Sequence, residues 1–453
     1  MMVQSVFCAT AIAPLALSAA LPPASVAAFS KRTTEPAPVV VEPSQQWDGN
    51  DGPWSSFVLQ VGTPAQQVRV DISIGGQETW VVDSGACDSS GSSTSNTCAD
   101  ERGGVFNIGD SSSWKSTTTI WNNSGIYKLS GLIPQELGID GNGQYGFESV
   151  GLSFDGTTSP TLKHTVTAAF NTTTFSIGQF GVSPNPTYFT VENNNGSVFN
   201  DPQQSFLSIL DSTNQVPSRS YSFTAGSQAR RKSVKNALGS FIFGGYDMSL
   251  KGPNDTSFDF APDEGRELVV GVRSITKTGN GATTELLPEA VLAALDSSQP
   301  NIWLPLEACR KFEEAFGLSW NSGAEQYLVN STLHDQLAEE NPSITFRLGN
   351  GASGGPTVDI DLPYGAFDLS MSNSSADSKV YFPLKRAENE TQYTLGRAFF
   401  QEAYLIADYD RRNFSLSQRV WNDSATRSIV AIHAEGVDES SSTTSIPAKN
   451  AVR

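Results

Sequence analysis

From Trp54 onward the chain is dominated by short runs in which apolar and polar residues alternate, separated by Gly, Asn, Ser and Pro. A period of two predicts strands with one buried face. Clear runs are 57–61 (FVLQV), 67–74 (QVRVDISI), 78–82 (ETWVV), 164–170 (HTVTAAF), 221–225 (YSFTA), 267–275 (ELVVGVRSI), 344–348 (ITFRL), 357–362 (TVDIDL) and 403–409 (AYLIADY). Apolar residues at helical spacing occur in two short stretches, 204–211 and 306–316 (LEACRKFEEAF). The fold class expected is mostly β.

One pattern occurs twice. A strand, a loop of small residues and a strand bearing Trp follow one another at 71–82 (DISIGGQETWVV) and at 295–305 (LDSSQPNIWLP). Such pseudo-repetition predicts two related lobes. The join is expected near 241–247 (FIFGGYD), giving an N-terminal lobe at 53–245 and a C-terminal lobe at 246–433. The basic segment 227–239, with Arg230, Arg231 and Lys232, reads as a solvated loop.

The ends differ from this pattern. Residues 3–20 are apolar and small, and 1–28 read as a secretory signal, although without Lys or Arg at the start. Pro14, Pro22 and Pro23 interrupt the run and argue against a spanning helix. Residues 29–52 are Pro-rich and polar and read as a short extended leader, with a candidate dibasic processing site at Lys31-Arg32. Residues 434–453 are Ser/Thr-rich and read as a disordered polar tail.

Composition narrows the setting. A hydrophobic content of 38% with 25 Phe and 8 Trp supports a sizeable core. A formal net charge of −18 disfavours nucleic acid and anionic membrane as partners. Nine N-x-Ser/Thr sequons, at Asn122, Asn171, Asn195, Asn254, Asn330, Asn373, Asn389, Asn413 and Asn422, together with the N-terminal signal, predict a glycosylated, secreted or cell-surface protein. Of four cysteines, Cys8 would leave with the signal. Cys87 and Cys98 enclose a Ser/Gly-rich loop and are expected to form a disulfide, and Cys309 a buried free thiol. His164, His334 and His433 show no metal-ligand spacing, so neither metal nor cofactor is expected.

Seven pieces in order carry a resemblance: Val61-Gly62-Thr63-Pro64 with the strand to Trp80; Tyr145-Gly146-Phe147-Glu148-Ser149-Val150; Phe180-Gly181-Val182; Ser240-Phe241-Ile242-Phe243-Gly244-Gly245; Ala293-Ala294-Leu295-Asp296-Ser297-Ser298; Leu395-Gly396-Arg397-Ala398-Phe399-Phe400; and Ile406-Ala407-Asp408-Tyr409-Asp410. Together they resemble the pepsin-like aspartic peptidase family, in particular its fungal secreted branch, over residues 54–433. The resemblance implies a bilobal pepsin-like fold with a cleft between two β lobes. It also implies two carboxylates, one per lobe, that share a proton and activate a water.

Residue by residue, the resemblance places Asp296 at the second-lobe catalytic position. Ser297 keeps the hydroxyl that links the two loops, and Ser298 stands where a Gly is expected. In the first lobe the counts from Gly62 and from Trp80 agree, and both put the catalytic position at Ser73. Ile74 lacks the linking hydroxyl, while Gly75 matches. A Ser hydroxyl without an activating partner cannot serve as a base. Asp71 lies about 6–7 Å back on the same strand face and is expected to pair with Arg69. Asp83-Ser84-Gly85 spells the family tripeptide after the Trp strand and reads as a turn. Counting back along the flap gives Glu136-Leu137-Gly138 and no Tyr, with Tyr127 the nearest alternative. Gly351-Ala352-Ser353-Gly354-Gly355 fits G-x-S-x-G but lies between two strand patterns, so it reads as a hairpin loop.

The function expected is therefore that of a secreted protein of the aspartic endopeptidase family, catalytically impaired by Ser73. Its cleft would take a peptide, protein or polysaccharide ligand, without a cofactor and as a monomer. The alternative is an active endopeptidase working at acid pH through Asp296 and a non-standard partner.

Overall fold

The computed structural model describes residues 36–87, 95–118, 124–129, 137, 141–152, 159–192, 198–234, 237–254, 256–263, 265–279, 281–371, 379–422 and 425–436. The expected signal at 1–28, the Lys31-Arg32 pair, nearly all of the tail, Glu136, Gly138, and the sequons at Asn122, Asn195 and Asn373 lie outside these residues.

Alternation becomes strand wherever one face can be buried. In Thr357–Pro363, Val358, Ile360 and Leu362 point inward while Thr357, Asp359 and Asp361 face water. In the helix Leu306–Phe316, Ala308, Cys309, Phe312 and Phe316 are buried at helical spacing, and Gly317 ends it in the left-handed region at φ 70°. A second expected helix forms as Phe206–Ser212, where the Ser205 hydroxyl accepts from the Ser208 amide as an N-cap. A third, Ser331–Glu340, was not expected: it buries only Leu337, so its sequence shows little helical stripe.

Among the described residues, three large sheets set the architecture. A nine-stranded sheet is built from strands between Pro43 and Gly181, and an eight-stranded sheet from strands between Val269 and Leu395. A six-stranded sheet joins them, in the order Val39–Val41, Leu238–Phe243, Ser220–Gly226, Ala403–Asp408, Asn413–Gln418, Ser257–Asp259. Its central pairing, Ser220↔Asp408 to Phe223↔Leu405, brings the two halves of the sequence together. The fold is mostly β and bilobal, of the pepsin-like class.

Within the stretch 29–52, expected as a leader, residues 39–41 and 43–48 are strands of the main sheets. Val39–Val41 pairs with Leu238–Phe243, and Pro43–Asp48 pairs with Trp54–Val61. The basic segment holds structural contacts as well. Arg230 pairs with fully buried Glu402 at 2.8 Å, and the Arg231 guanidinium lies 5.8 Å from the Trp47 ring.

Candidate functional site

Two loops of matching construction face each other. In the first half, Gln66–Ser73 runs parallel to Gly178–Gly181, which also pairs antiparallel with Thr79–Val82. In the second half, Val291–Leu295 runs parallel to Thr394–Leu395, which pairs antiparallel with Ile302–Leu304. The registers superpose. Phe180 pairs with both Ile72 and Thr79, and Leu395 pairs with both Leu295 and Ile302. Gln179 meets Trp80 as Thr394 meets Trp303. Ser73 and Asp296, each next along its strand, therefore hold equivalent places. Gly181 and Gly396 are equivalent too, and a methyl group on either would overlap the backbone of the loop it supports.

The loops are in contact. A Cβ on Gly75 would lie 3.0 Å from Asp296 Oδ1, so glycine lets the first loop approach the second-lobe carboxylate. Ser297 Oγ accepts from the Ile74 amide at 3.1 Å and donates to the Ile72 carbonyl at 2.6 Å. Ile74 has no hydroxyl to return this grip, and its side chain is buried in the core instead. Gln179 Nε2 adds a cross-link by donating to the Ser298 carbonyl at 2.8 Å.

Asp296 is fully buried, and burial raises its pKa. The Ser298 hydroxyl and amide, the Arg397 charge and the Gly75 amide oppose that rise. Ser298 bonds both oxygens: its amide donates to Oδ1 at 3.0 Å and its hydroxyl to Oδ2. Ser73 is also buried, and its hydroxyl makes no hydrogen bond to another described residue. Two of the three histidines are engaged elsewhere: His164 stacks on Phe147 and His334 bonds Asp368.

The expected Asp71–Arg69 pair does not form. Arg69 bonds Asp48 at 3.0 Å and Asp100 at 3.2 Å. Asp71, nearly enclosed, instead accepts from Arg397 of the second half, which also lies over Trp54 and 3.7 Å from Asp51. Strand alternation sets only the face of Asp71; burial selects a partner that can accompany it out of water. Burial pushes the Asp71 carboxyl up to about 6, with Arg397 opposing and Asp51 adding to the rise.

Sequence reasoning missed Glu78. This buried carboxylate accepts from Trp80 Nε1 at 3.0 Å and from the Tyr145 hydroxyl at 2.6 Å. Its signal was an acid inside the loop, beside the Trp that fixes the register. On the flap, Tyr127 pairs with Gly143 and stacks edge-on against Tyr145 at 5.6 Å. Leu137 clusters with Ala294 and Trp303 of the second half.

The remaining predicted positions lie as follows. Cys87 and Cys98 are disulfide-bonded, and Cys309 is buried and free. Asp83-Ser84-Gly85 forms a turn, with the Gly85 amide donating to Asp83 Oδ1 at 2.8 Å. Ser353 lies in the hairpin loop between Ser343–Gly349 and Thr357–Pro363. Of the sequons, Asn171, Asn330, Asn389 and Asn422 are exposed, and Asn413 is half-buried. Asn254 is also half-buried and donates its amide to the Leu416 carbonyl. Among the described residues, no group of three or more His, Cys, Asp or Glu is placed to hold a metal ion. No helix of the described residues is long and apolar enough to cross a membrane.

Two loops meeting across the halves of a bilobal β fold define an aspartic-proteinase-like molecule. The model of the family described as Eukaryotic aspartyl protease matches residues 57–419, and the chain belongs to that family. Two Candida albicans sequences named Secreted aspartic protease 8, one of them from strain SC5314, are similar to it. Each is 24% identical over 378 residues, covering 83% of this chain and 78% of the relative. Among solved structures, the crystal structure of aspartic proteinase from Irpex lacteus matches with a TM-score of 0.54 at 14% identity. That match covers 86% of this chain and all of the other.

Proposed function

We propose that this protein is a secreted pseudopeptidase, with a pepsin-like cleft that binds peptide without hydrolysing it. The observation that carries the reading is the equivalence of Ser73 and Asp296 in two superposable strand registers. With a carboxylate on one side only, no shared-proton pair forms to activate a water. Loss of a residue that acts as part of a catalytic unit lowers turnover by several orders of magnitude.

The alternative, with Asp71 as a stand-in base, is disfavoured by the Arg397 contact that already engages that carboxylate. Secretion fits the N-terminal signal, the sequons, the disulfide and the secreted relatives, and the peptide cleft fits the family. The cleft lies between lobes 53–245 and 246–433, and the protein acts as a monomer without a cofactor.

The test is a gain of function. Ser73→Asp with Ile74→Thr restores the missing carboxylate and the missing hydroxyl together. The double variant is expected to cleave unfolded casein at pH 3–5 where the wild type does not. Cleavage by the wild type as strong as that of the double variant would refute the reading.

A further inference from the structure

The sheet that carries Asp296 has two faces. Ala293, Leu295, Ile302, Leu304, Leu384 and Leu395 belong to the core. Ala294, Asp296, Trp303, Lys385 and Thr394 alternate with them and so share the opposite face. The registers set Thr394 beside Ala294 and Trp303, and Lys385 beside Trp303. Leu137 from the first half rests on this face, in a cluster with Ala294 and Trp303. It is therefore the side of the sheet that looks into the space between the lobes.

On that side Lys385 is a half-buried cation without a counter-ion. Its Nζ lies 5.7 Å from the Trp303 ring centroid and 6.0 Å from that of Trp320. Indole faces favour a cation but do not neutralise it. Burial lowers the Lys385 pKa, and the charge of Glu325 opposes that, yet no described carboxylate lies within ion-pair distance. The next residue behaves differently: Arg386 pairs with Glu313 at 2.7 Å. In a chain of net charge −18, an uncompensated ammonium at this place is a local reversal of the general field.

We propose that Lys385 and Trp303 form a specificity subsite for the carboxylate of an Asp or Glu side chain in a peptide lying in the cleft. The ammonium supplies the counter-charge, and the indole covers the aliphatic part of the acidic side chain. This inference rests on the reading of the cleft as a peptide-binding site.

The test uses fluorescein-labelled octapeptides in which one Glu, or one Gln in its place, is moved through each position of an otherwise fixed apolar sequence. Binding to the full chain is measured by anisotropy at pH 6.5. At one position the Glu peptide is expected to bind about tenfold more tightly than its Gln twin. Lys385→Gln brings that ratio close to one, and Lys385→Arg, which keeps the charge and controls for folding, preserves most of it. Peptides that bind with no Glu preference, or with a preference that survives Lys385→Gln, overturn the subsite alone. Absence of binding by every peptide overturns the peptide-cleft reading, and the subsite with it.

Discussion

The Ser297 hydroxyl accepts from the Ile74 amide and donates to the Ile72 carbonyl, so one side chain of the second half grips the loop of the first half from both sides of Ser73. Because Ile74 offers no hydroxyl in return, this grip is one-sided. Ser297→Ala leaves a buried N–H and a buried C=O without that partner, which is expected to cost roughly 2–4 kcal/mol. Urea denaturation checks it. A loss below about 0.5 kcal/mol would show that the lobes are held elsewhere.

Asp71 and Arg397 form a buried ionic link between the halves. Removing one partner leaves an uncompensated charge. Arg397→Gln is therefore expected to destabilise by roughly 3–5 kcal/mol, and the paired change Asp71→Leu with Arg397→Met by clearly less. Urea denaturation of the two variants beside the wild type measures the difference.

The same carboxylate gives a pH dependence. Asp71 is raised from 3.8 to about 6 in the folded protein, so the native state binds more protons than the unfolded one between those values. Stability then falls as pH rises from about 4 to about 6, and the burial penalty is fully present above that window. Asp296 is shifted in the same direction by its burial. Melting temperature is expected to be higher at pH 4.5 than at pH 7, with a flatter profile in Asp71→Asn. A profile of the opposite slope would contradict the burial account.

Cys309 lies among buried neighbours, and burial pushes its thiol up to about 12. It should not react with a thiol-specific disulfide reagent in the native protein. With 1–28 removed, unfolding should expose one thiol, and reduction three. A retained signal would add Cys8 to both counts.

The Glu78 carboxylate ties Trp80 to Tyr145, and through Tyr145 it joins the loop at Ser73 to the flap hairpin. Glu78→Gln keeps the volume but weakens both charge-assisted bonds, an expected loss of about 1–2 kcal/mol. Tryptophan fluorescence during unfolding follows it.

The parts of this molecule that were legible in its sequence are those with local causes. Alternating Val358, Ile360 and Leu362 mark a strand because strand geometry repeats every two residues. Trp80 and Trp303 mark matching loops because each closes the same short excursion. Partners distant in the chain left no such trace. Nothing near Asp71 announces Arg397, and the nearby Arg69 was the natural but incorrect choice. The 331–340 helix escaped because its exposure removes the apolar stripe that would reveal it. Residues 39–48 read as a leader because their Pro and polar content hides edge strands, the first of which pairs with the distant segment 238–243.

The central claim concerns the missing carboxylate, and acid-pH proteolysis tests it most directly. Purified protein, with 1–28 removed, is incubated with unfolded casein between pH 3 and 5 beside an Asp296→Asn control. The account predicts that neither sample releases peptides above background. Robust cleavage by the wild type that disappears in Asp296→Asn would contradict it.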